Sequence, residues 1–329
     1  METLFNLLFT SLGISPCLRD SVVNQGCPHS GDAKLNGSMP ASRRKFLSRM
    51  ALGAAGLAVA GAVDGFGYEP HHPVARRVDI RLRRLPEAFD GYRIVQISDV
   101  HFGPYMGREG VERALKIAGE FQPDLLVFTG DFVSRNPWER NGPAGARHAF
   151  PFAEAASAWK QTPILAVLGN HDHWNGADIV AQALAERGIT LLRNSSLALE
   201  RERSRLWIAG VDDAWMRAAD LERALGGIPT EEATILLAHE PDYADHAARY
   251  PIDLQLSGHS HGGQVRLPGI GAIILPTMAV KYPIGLNRVR EMQVYTNCGL
   301  GVINPPVRFN CPPEVTFLTL QKFTPTLGQ

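Results

Sequence analysis

The run Asp124-Leu125-Leu126-Val127-Phe128-Thr129, closed by Gly130-Asp131, constrains the fold more than any other stretch of the chain. From Leu125 to Phe128 it is apolar without a break, so neither face of the strand it predicts meets water, and such a strand belongs inside a sheet covered on both sides. Two further runs have the same character: Arg93-Ile94-Val95-Gln96-Ile97, and residues 164–168, which lead into Gly169-Asn170-His171-Asp172. Helical spacing at 108–121, 152–159 and 177–187, the last stopped by Gly188, falls between or after them. The first half therefore reads as β-α-β units, entered through an alternating strand at 78–82. The second half is mostly strand, at 206–209, 234–238, 252–256, 272–275, 292–295 and 315–320. A Pro/Gly/Asn/Arg loop carrying Trp138 covers 134–147. No sequence repeat is present, and two packed sheets with outer helices is the expected α/β architecture.

The polar residues that end these strands carry the chemistry. Ser98-Asp99-Val100-His101-Phe102-Gly103 follows the 93–97 run. Strand alternation places Asp99 and His101 on one side with Val100 turned away. A carboxylate and an imidazole projecting together suit a divalent metal of borderline softness. D-x-H alone occurs by chance, Gly130-Asp131 alone is a common turn, and His239 in Leu236-Leu237-Ala238-His239-Glu240-Pro241 alone caps a strand. Gly258-His259-Ser260-His261-Gly262-Gly263 is harder to dismiss, because paired histidines among glycines suit ligation where backbone must bend and approach closely. All these clusters sit at strand ends, where active-site loops usually lie.

Composition removes several alternatives. The 329 residues are 45% hydrophobic, with 33 basic and 33 acidic side chains, so zero net charge gives no reason to expect nucleic acid as a partner. Cys17, Cys27, Cys298 and Cys311 contain no C-x-x-C pair, which excludes a disulfide scaffold and a thiolate zinc site. Cys298 and Cys311 read as buried free thiols in preference to a bridge.

Residues 1–41 do not read as part of a fold: they are a disordered extension, or the product of an upstream start codon with Met39 as the true start. Residues 42–66 form a separate segment. Ser42-Arg43-Arg44-Lys45-Phe46-Leu47 precedes an uncharged Ala/Gly/Leu/Val run at 50–63, with Ala60-Gly61-Ala62 as a cleavage site, which is the pattern of an export signal. The run is about 14 residues, short of the ~20 that span a bilayer, yet apolar enough for membrane association. S-R-R-x-F-L is similar to the twin-arginine consensus. The expected partner is then the twin-arginine export machinery, and the expected location is the periplasm or the outer face of the cytoplasmic membrane.

The order D-x-H, G-D, G-N-H-D, H, G-H-x-H resembles the calcineurin-like metallophosphoesterases, over residues 75–323, and most of all their exported branch with a twin-arginine signal. Gly258 to Val265 and Pro306-Val307-Arg308-Phe309-Asn310-Cys311-Pro312-Pro313-Glu314 are similar to that branch's signatures. The resemblance implies a four-layer α/β/β/α sandwich with the site between the sheets. It implies that Asp99, His101 and His261 hold one metal, that Asn170, His239 and His259 hold another, and that Asp131 bridges them. All are N or O donors, which points to two divalent ions drawn from Mn, Fe or Zn. A metal-bridging hydroxide would attack a phosphomono- or diester, lipid-linked esters included. His171 would face the phosphate as acid or stabiliser, and Asp172 would either orient its ring or only stabilise the turn. A UDP-2,3-diacylglucosamine-type pyrophosphohydrolase and a non-catalytic binding module on the same fold are the alternatives; the complete ligand set and His171 argue against the second. Trp138, Trp174 and Trp215-Met216 lie where loops rim such a site. The apolar stretch 267–276 reads as a buried hairpin against the second sheet, with a lipid- or substrate-facing lip as the other reading.

Overall fold

The computed structural model describes residues 43–134 and 143–323, so Trp138, Met39, Cys17 and Cys27 lie outside the described residues. The chain divides into two units, Met1–Ala51 and Leu52–Gln329, and the second contains both sheets. Its first sheet has the order β1-β14-β2-β3-β4-β5, formed by Val74–Leu82, Glu314–Lys322, Arg93–Ile97, Leu125–Thr129, Ile164–Val167 and Thr190–Leu191. The strands β2, β3, β4 and β5 are mutually parallel, and β14 lies antiparallel to β2 and parallel to β1. The second sheet has the order β12-β13-β9-β8-β7-β6, from Gly285–Val289, Met292–Thr296, Leu254–Ser257, Thr234–Leu237, Ser204–Gly210 and Ser195–Arg201.

Strand alternation sorts the apolar side chains into layers. Val95, Ile97, Leu126, Phe128, Ile164 and Ala166 face the helices α2 (Arg108–Glu120), α3 (Ala149–Ala156) and α4 (Asn170–Glu186). Their neighbours Ile94, Leu125, Val127, Leu165 and Val167 face the other way, onto Leu206, Ile208, Ile235, Leu237, Leu254 and Leu256 of the second sheet. The outer face of that sheet packs Leu236, Ala238 and Val294 against the short helices α5 (Leu221–Leu225) and α6 (Ala244–Ala247). The layers are thus helix, sheet, sheet, helix. Burying each of these large side chains contributes about 1.5–3 kcal/mol, so the two sheets are held firmly where apolar residues face one another.

At the carboxyl ends of the parallel strands the inter-sheet layer turns polar. Gln96, fully buried on β2, donates from Nε2 to the Ser257 carbonyl on β9 at 2.8 Å. Asn297 Nδ2 donates to Thr316 Oγ1 at 2.8 Å, and Tyr295 Oη donates to Glu314. Buried polar groups of this kind must be paired, so they fix the register of one sheet on the other.

Several segments differ from expectation. The helix α4 begins at Asn170, inside the motif, and crosses a kink at Gly176 (φ 118°) instead of starting near 177. Strands β6 and β12 and the short β5 were not legible, being half-exposed and rich in charged or polar residues. The stretch 267–276 is not buried: it is an exposed hairpin of β10 (Arg266–Leu267) and β11 (Gly271–Ala272), with Ile270 and Ile274 each 76% exposed. The helix α1 (Arg43–Val63) has no buried residue, and the helical segment Arg43–His71 is long and apolar enough to cross a membrane by length and composition, unlike the apolar run 50–63 alone. Cys298 and Cys311 are buried free thiols.

An ion pair joins α4 to the end of β7. His173 Nε2 lies 2.6 Å from Asp212 Oδ1, and Arg193 Nε donates to Asp212 Oδ2 at 2.8 Å. The bond to Asp212 raises the His173 pKa against the effect of burial. Burial would raise Asp212, but the bonds to His173 and Arg193 outweigh it and bring it down to about 2. The His173 contribution is complete below its unfolded pKa of about 6.5 and fades as pH rises through the higher folded value; the Asp212 contribution fades only as pH falls through about 2. His173→Gln should therefore cost on the order of 1 kcal/mol near pH 5.5, and progressively less above pH 7. Urea unfolding of both proteins across pH 5 to 9 measures this, and a constant difference would rule out the charged pair.

Candidate metal centre

Every motif sits immediately after a parallel strand. Asp99 and His101 follow β2, Asp131 follows β3, Asn170 follows β4, His239 follows β8, and His259 and His261 follow β9. Parallel strands end together, so their loops converge on one edge of the sandwich. Asp99, His101, Asp131, Asn170, His239, His259 and His261 are all buried there.

Asp131 is the meeting point. Its Oδ1 accepts the backbone N–H of His171, an otherwise orphan donor in the first turn of α4, at 2.8 Å. Its Oδ2 lies 3.2 Å from His239 Nε2 and 3.6 Å from His101 Nε2. His101 Nε2 in turn faces His261 Nε2 at 2.9 Å, and His261 Nε2 is 3.3 Å from Asp99 Oδ1. Three clusters of potential ligand atoms result: Asp99, His101 and His261; His101, Asp131 and His171; Asp131, His239 and His259.

The backbone selects which ring nitrogen points inward. His239 Nδ1 lies 2.7 Å from the Thr129 carbonyl, which accepts its proton and turns Nε2 toward Asp131. His259 Nε2 donates to the Thr277 carbonyl at 2.8 Å, leaving Nδ1 free. Such outer hydrogen bonds are what orient imidazoles for metal ligation. Asn170 Oδ1 is buried with no hydrogen-bond partner, which in a protein interior calls for an ion or water. Carboxylate, amide and imidazole donors without a thiolate suit divalent cations of intermediate hardness. The residues fit a metal site.

Electrostatics agree. Burial, with His171 and His261 alongside, pushes His101 well below the usual histidine value; burial, with Arg308 alongside, does the same to His261. Burial brings His259 down to about 4. These rings are neutral near pH 7 and keep a lone pair for a cation. For His239 burial acts downward too, but the Asp131 carboxylate outweighs it and holds the ring well above its ordinary value. Asp131 shows the converse: burial would raise it, yet His239 and His171 hold it well below the carboxylate range.

Asp99, His101, Asp131, His259 and His261 have φ of 50°, 48°, 55°, 66° and 49°, the left-handed region that costs a non-glycine residue about 1–2 kcal/mol. Strain concentrated in this way is a mark of functional sites. It also changes the reason Asp99 and His101 share a side. The strand stops at Ile97, and left-handed turns aim both residues, so alternation does not apply to them. Gly169 is required for another reason: a Cβ there would lie 2.3 Å from Asp131 Oδ1.

Asp172 does not orient the His171 ring. Its Oδ1 accepts from the backbone N–H groups of Phe132 and Val133 at 2.8 and 3.2 Å, and its Oδ2 accepts from that of Gly169 at 3.0 Å. It caps α4 and clamps the turn that presents Asp131. Burial, then the Asp131 charge, pushes its pKa up to about 8. His171 Nδ1 has no hydrogen-bond partner, and the ring stands edge-on to His101 at 4.6 Å. From His171 an aromatic wall continues through Trp174 at 4.8 Å and Trp215 at 5.3 Å to His259 at 5.4 Å. Sequence reasoning missed the role of Arg308. It is fully buried and donates to the carbonyls of Cys298, Gly299, Gly301 and Cys311, and Gly301 N–H donates to the Asp99 carbonyl at 2.7 Å.

Comparison with known proteins agrees with this geometry. The calcineurin-like phosphoesterase family matches the chain over residues 92–263. The chain is 36% identical over 290 residues to the uncharacterized metallophosphoesterase YkuE of Bacillus subtilis, covering 85% of this chain and 98% of that protein. It is 31% identical over 288 residues to the phosphodiesterase YaeI of Escherichia coli, covering 85% and 99%. It is 34% identical over 282 residues to a transmembrane protein with metallophosphoesterase domain of Danio rerio, covering 79% of this chain and 60% of that one.

Asp172→Asn turns an acceptor oxygen into an amino group that faces a backbone N–H. Thermal unfolding should show a loss of about 1–3 kcal/mol, and elemental analysis should show less bound metal because the Asp131 turn loosens. Unchanged stability would show that the clamp is not the residue's role.

Proposed function

Because the chain belongs to the calcineurin-like phosphoesterase family and is a metal-dependent phosphoester hydrolase, we propose that it hydrolyses phosphomono- or diesters at a two-ion centre joined by Asp131. In this reading Asp99, His101 and His261 would hold one divalent ion, Asn170, His239 and His259 would hold the other, and Asp131 would serve both. When bound, the ions would supply Lewis-acid polarisation of the attacking water and of the phosphoryl oxygens. The observation that carries the reading is the convergence of these groups, from strand ends of both sheets, on one buried carboxylate.

The chain's own residues do the rest. Asp131, fixed by the His171 N–H, sets the distance between the two half-sites. His171 stands beside the centre without a partner for Nδ1, where it gives a proton to the departing ester oxygen. Trp174 and Trp215 form an aromatic wall between His171 and His259, on the side where a leaving group protonated by His171 would depart. The reading extends to location: the Ser42-Arg43-Arg44-Lys45-Phe46-Leu47 sequence ahead of the apolar α1 supports export by the twin-arginine route, with action outside the cytoplasmic membrane.

Asp131→Asn should lower hydrolysis of nitrophenyl phosphate and bis(nitrophenyl) phosphate by orders of magnitude and reduce bound metal, with the fold retained by circular dichroism. Wild-type protein that neither carries a divalent metal nor gains activity from Mn, Fe or Zn would overturn the assignment. His171→Ala should keep its metal and lose ~10²–10⁴-fold on alkyl phosphates. On nitrophenyl esters, whose leaving group needs no proton, the loss should be far smaller. Equal losses would make His171 an electrostatic stabiliser instead.

A further inference from the structure

The exposed hairpin β10–β11 and the apolar helix α1 are rooted on one segment. Arg266 N–H donates to the Phe309 carbonyl at 2.9 Å, and Asn310 Nδ2 donates to the Arg266 carbonyl at 3.4 Å. From the other side, Arg308 N–H donates to the Gly65 carbonyl at 2.9 Å, and Asn310 N–H donates to Glu69 Oε2 at 2.8 Å. Residues 308–310 therefore hold the turn that ends α1 next to the base of the hairpin. Beyond these roots both elements present aliphatic side chains to solvent: Leu52, Leu57, Val59 and Val63 on the helix, Ile270, Ile273 and Ile274 on the hairpin.

Scattered exposed hydrophobics are ordinary, but this arrangement is not scattered. From Leu52 to Val63 the helix has no charged residue and no buried residue, so it has no polar face to offer to water. Such a helix suits a bilayer, the helical segment Arg43–His71 is long and apolar enough to cross one by length and composition, and the turn that follows Val63 is held beside the hairpin's root through Gly65 and Glu69. The hairpin is also fixed in place. Ile273 N–H donates to the Val265 carbonyl at 3.2 Å, and Arg266 Nη1 donates to the Gly262 carbonyl at 2.8 Å. Rigid aliphatic side chains next to the emerging end of a bilayer-embedded helix lie at the depth of the headgroup boundary.

We propose that the hairpin is an interfacial anchor, with Ile270, Ile273 and Ile274 inserted into the phospholipid surface of the membrane that holds α1. The hairpin's exit strand leads to Thr277, whose carbonyl accepts from His259 at the metal centre. Docking the hairpin therefore brings the centre to the bilayer surface. Where the catalytic reading above holds, the substrate is a phosphoester displayed on a lipid; the docking itself does not depend on that reading.

The test uses the full chain in vesicles of phosphatidylethanolamine and phosphatidylglycerol. In Ile274→Trp the added indole emission should be quenched at least two-fold by lipids brominated on their acyl chains, relative to the unmodified chain in the same vesicles. Absence of extra quenching overturns the proposal. So does an indole shielded only when two copies share a vesicle, which would make a second copy the occupant, or one that becomes quenchable only after residues 1–42 are removed. The double variant Ile270→Asp, Ile274→Asp should lose at least ten-fold on a lipid phosphoester in those vesicles and keep its rate on soluble bis(nitrophenyl) phosphate. Equal rates on the lipid substrate contradict the interfacial role. No wild-type activity on either substrate would instead defeat the catalytic reading, and the quenching result would still decide the docking.

Discussion

The Asp131 carboxylate is the interaction on which the site depends, because groups from both halves of the sandwich meet on it. From the first sheet it takes the His171 N–H at the head of α4; from the second it faces His239 at 3.2 Å. A carboxylate buried this deeply is costly unless paired and hydrogen-bonded. Everything around it answers that demand. Gly169 leaves room for its oxygen, Asp172 holds the turn that carries it, and the Thr129 carbonyl fixes the tautomer of His239. The inter-sheet bonds of Gln96 and Asn297 hold the sheets in the register that brings the two halves within reach.

Much of this was legible because strand periodicity is a strong signal where both faces are buried. Leu125, Leu126, Val127 and Phe128 form a short apolar run bounded by a turn signal, which reads as an inner strand, and the structure divides them between two apolar layers. The polar residues at the strand ends were legible too, since Asp, His and Asn are improbable where a core strand has just ended. What the sequence could not disclose was the local backbone. Asp99 and His101 face the same way through left-handed turns, and nothing in D-x-H distinguishes that from alternation. The start of α4 was hidden for a similar reason. Asn170, His171 and Asp172 lack apolar periodicity, and the cap that starts the helix is an Asp172 oxygen whose amide partners include Phe132 and Val133, some forty positions upstream.

Burial was misjudged where composition and context conflict. The stretch 267–276 is as apolar as a core strand, yet it stands out in solvent as a hairpin rooted on residues 308–310. Hydrophobicity reports that a segment avoids water, not which apolar phase receives it. The same ambiguity applies to α1, which is uncharged from Met50 to Val63 and has no buried residue. The helical segment continues through Glu69–His71, so the uncharged run at 50–63 is only part of an element long and apolar enough, by length and composition, to cross a membrane.

Arg308 shows why the strained loops hold their shape. Sheet hydrogen bonds stop at the strand ends, and beyond them the segment 297–301 must support Asp99 without a ladder. Arg308 replaces the ladder: one guanidinium donates to the carbonyls of Cys298, Gly299, Gly301 and Cys311. Only a planar fork with five N–H donors can satisfy so many acceptors from one point, and a lysine ammonium could not. Burial lowers the Arg308 pKa, with the Cys311 and Cys298 thiols and the Asp99 carboxylate acting in the opposite direction. A guanidinium starts so far above neutrality that it keeps its charge at any pH the protein meets. The supported segment abuts Asp99 through Gly299 and Gly301 and carries the strain of its left-handed backbone. Left-handed residues relax to ordinary conformations unless their surroundings over-determine them. Ligand side chains in turn must be held to within about 0.5 Å to bind a cation well. The buried arginine meets both requirements, and so a residue with no atom in the centre determines its geometry.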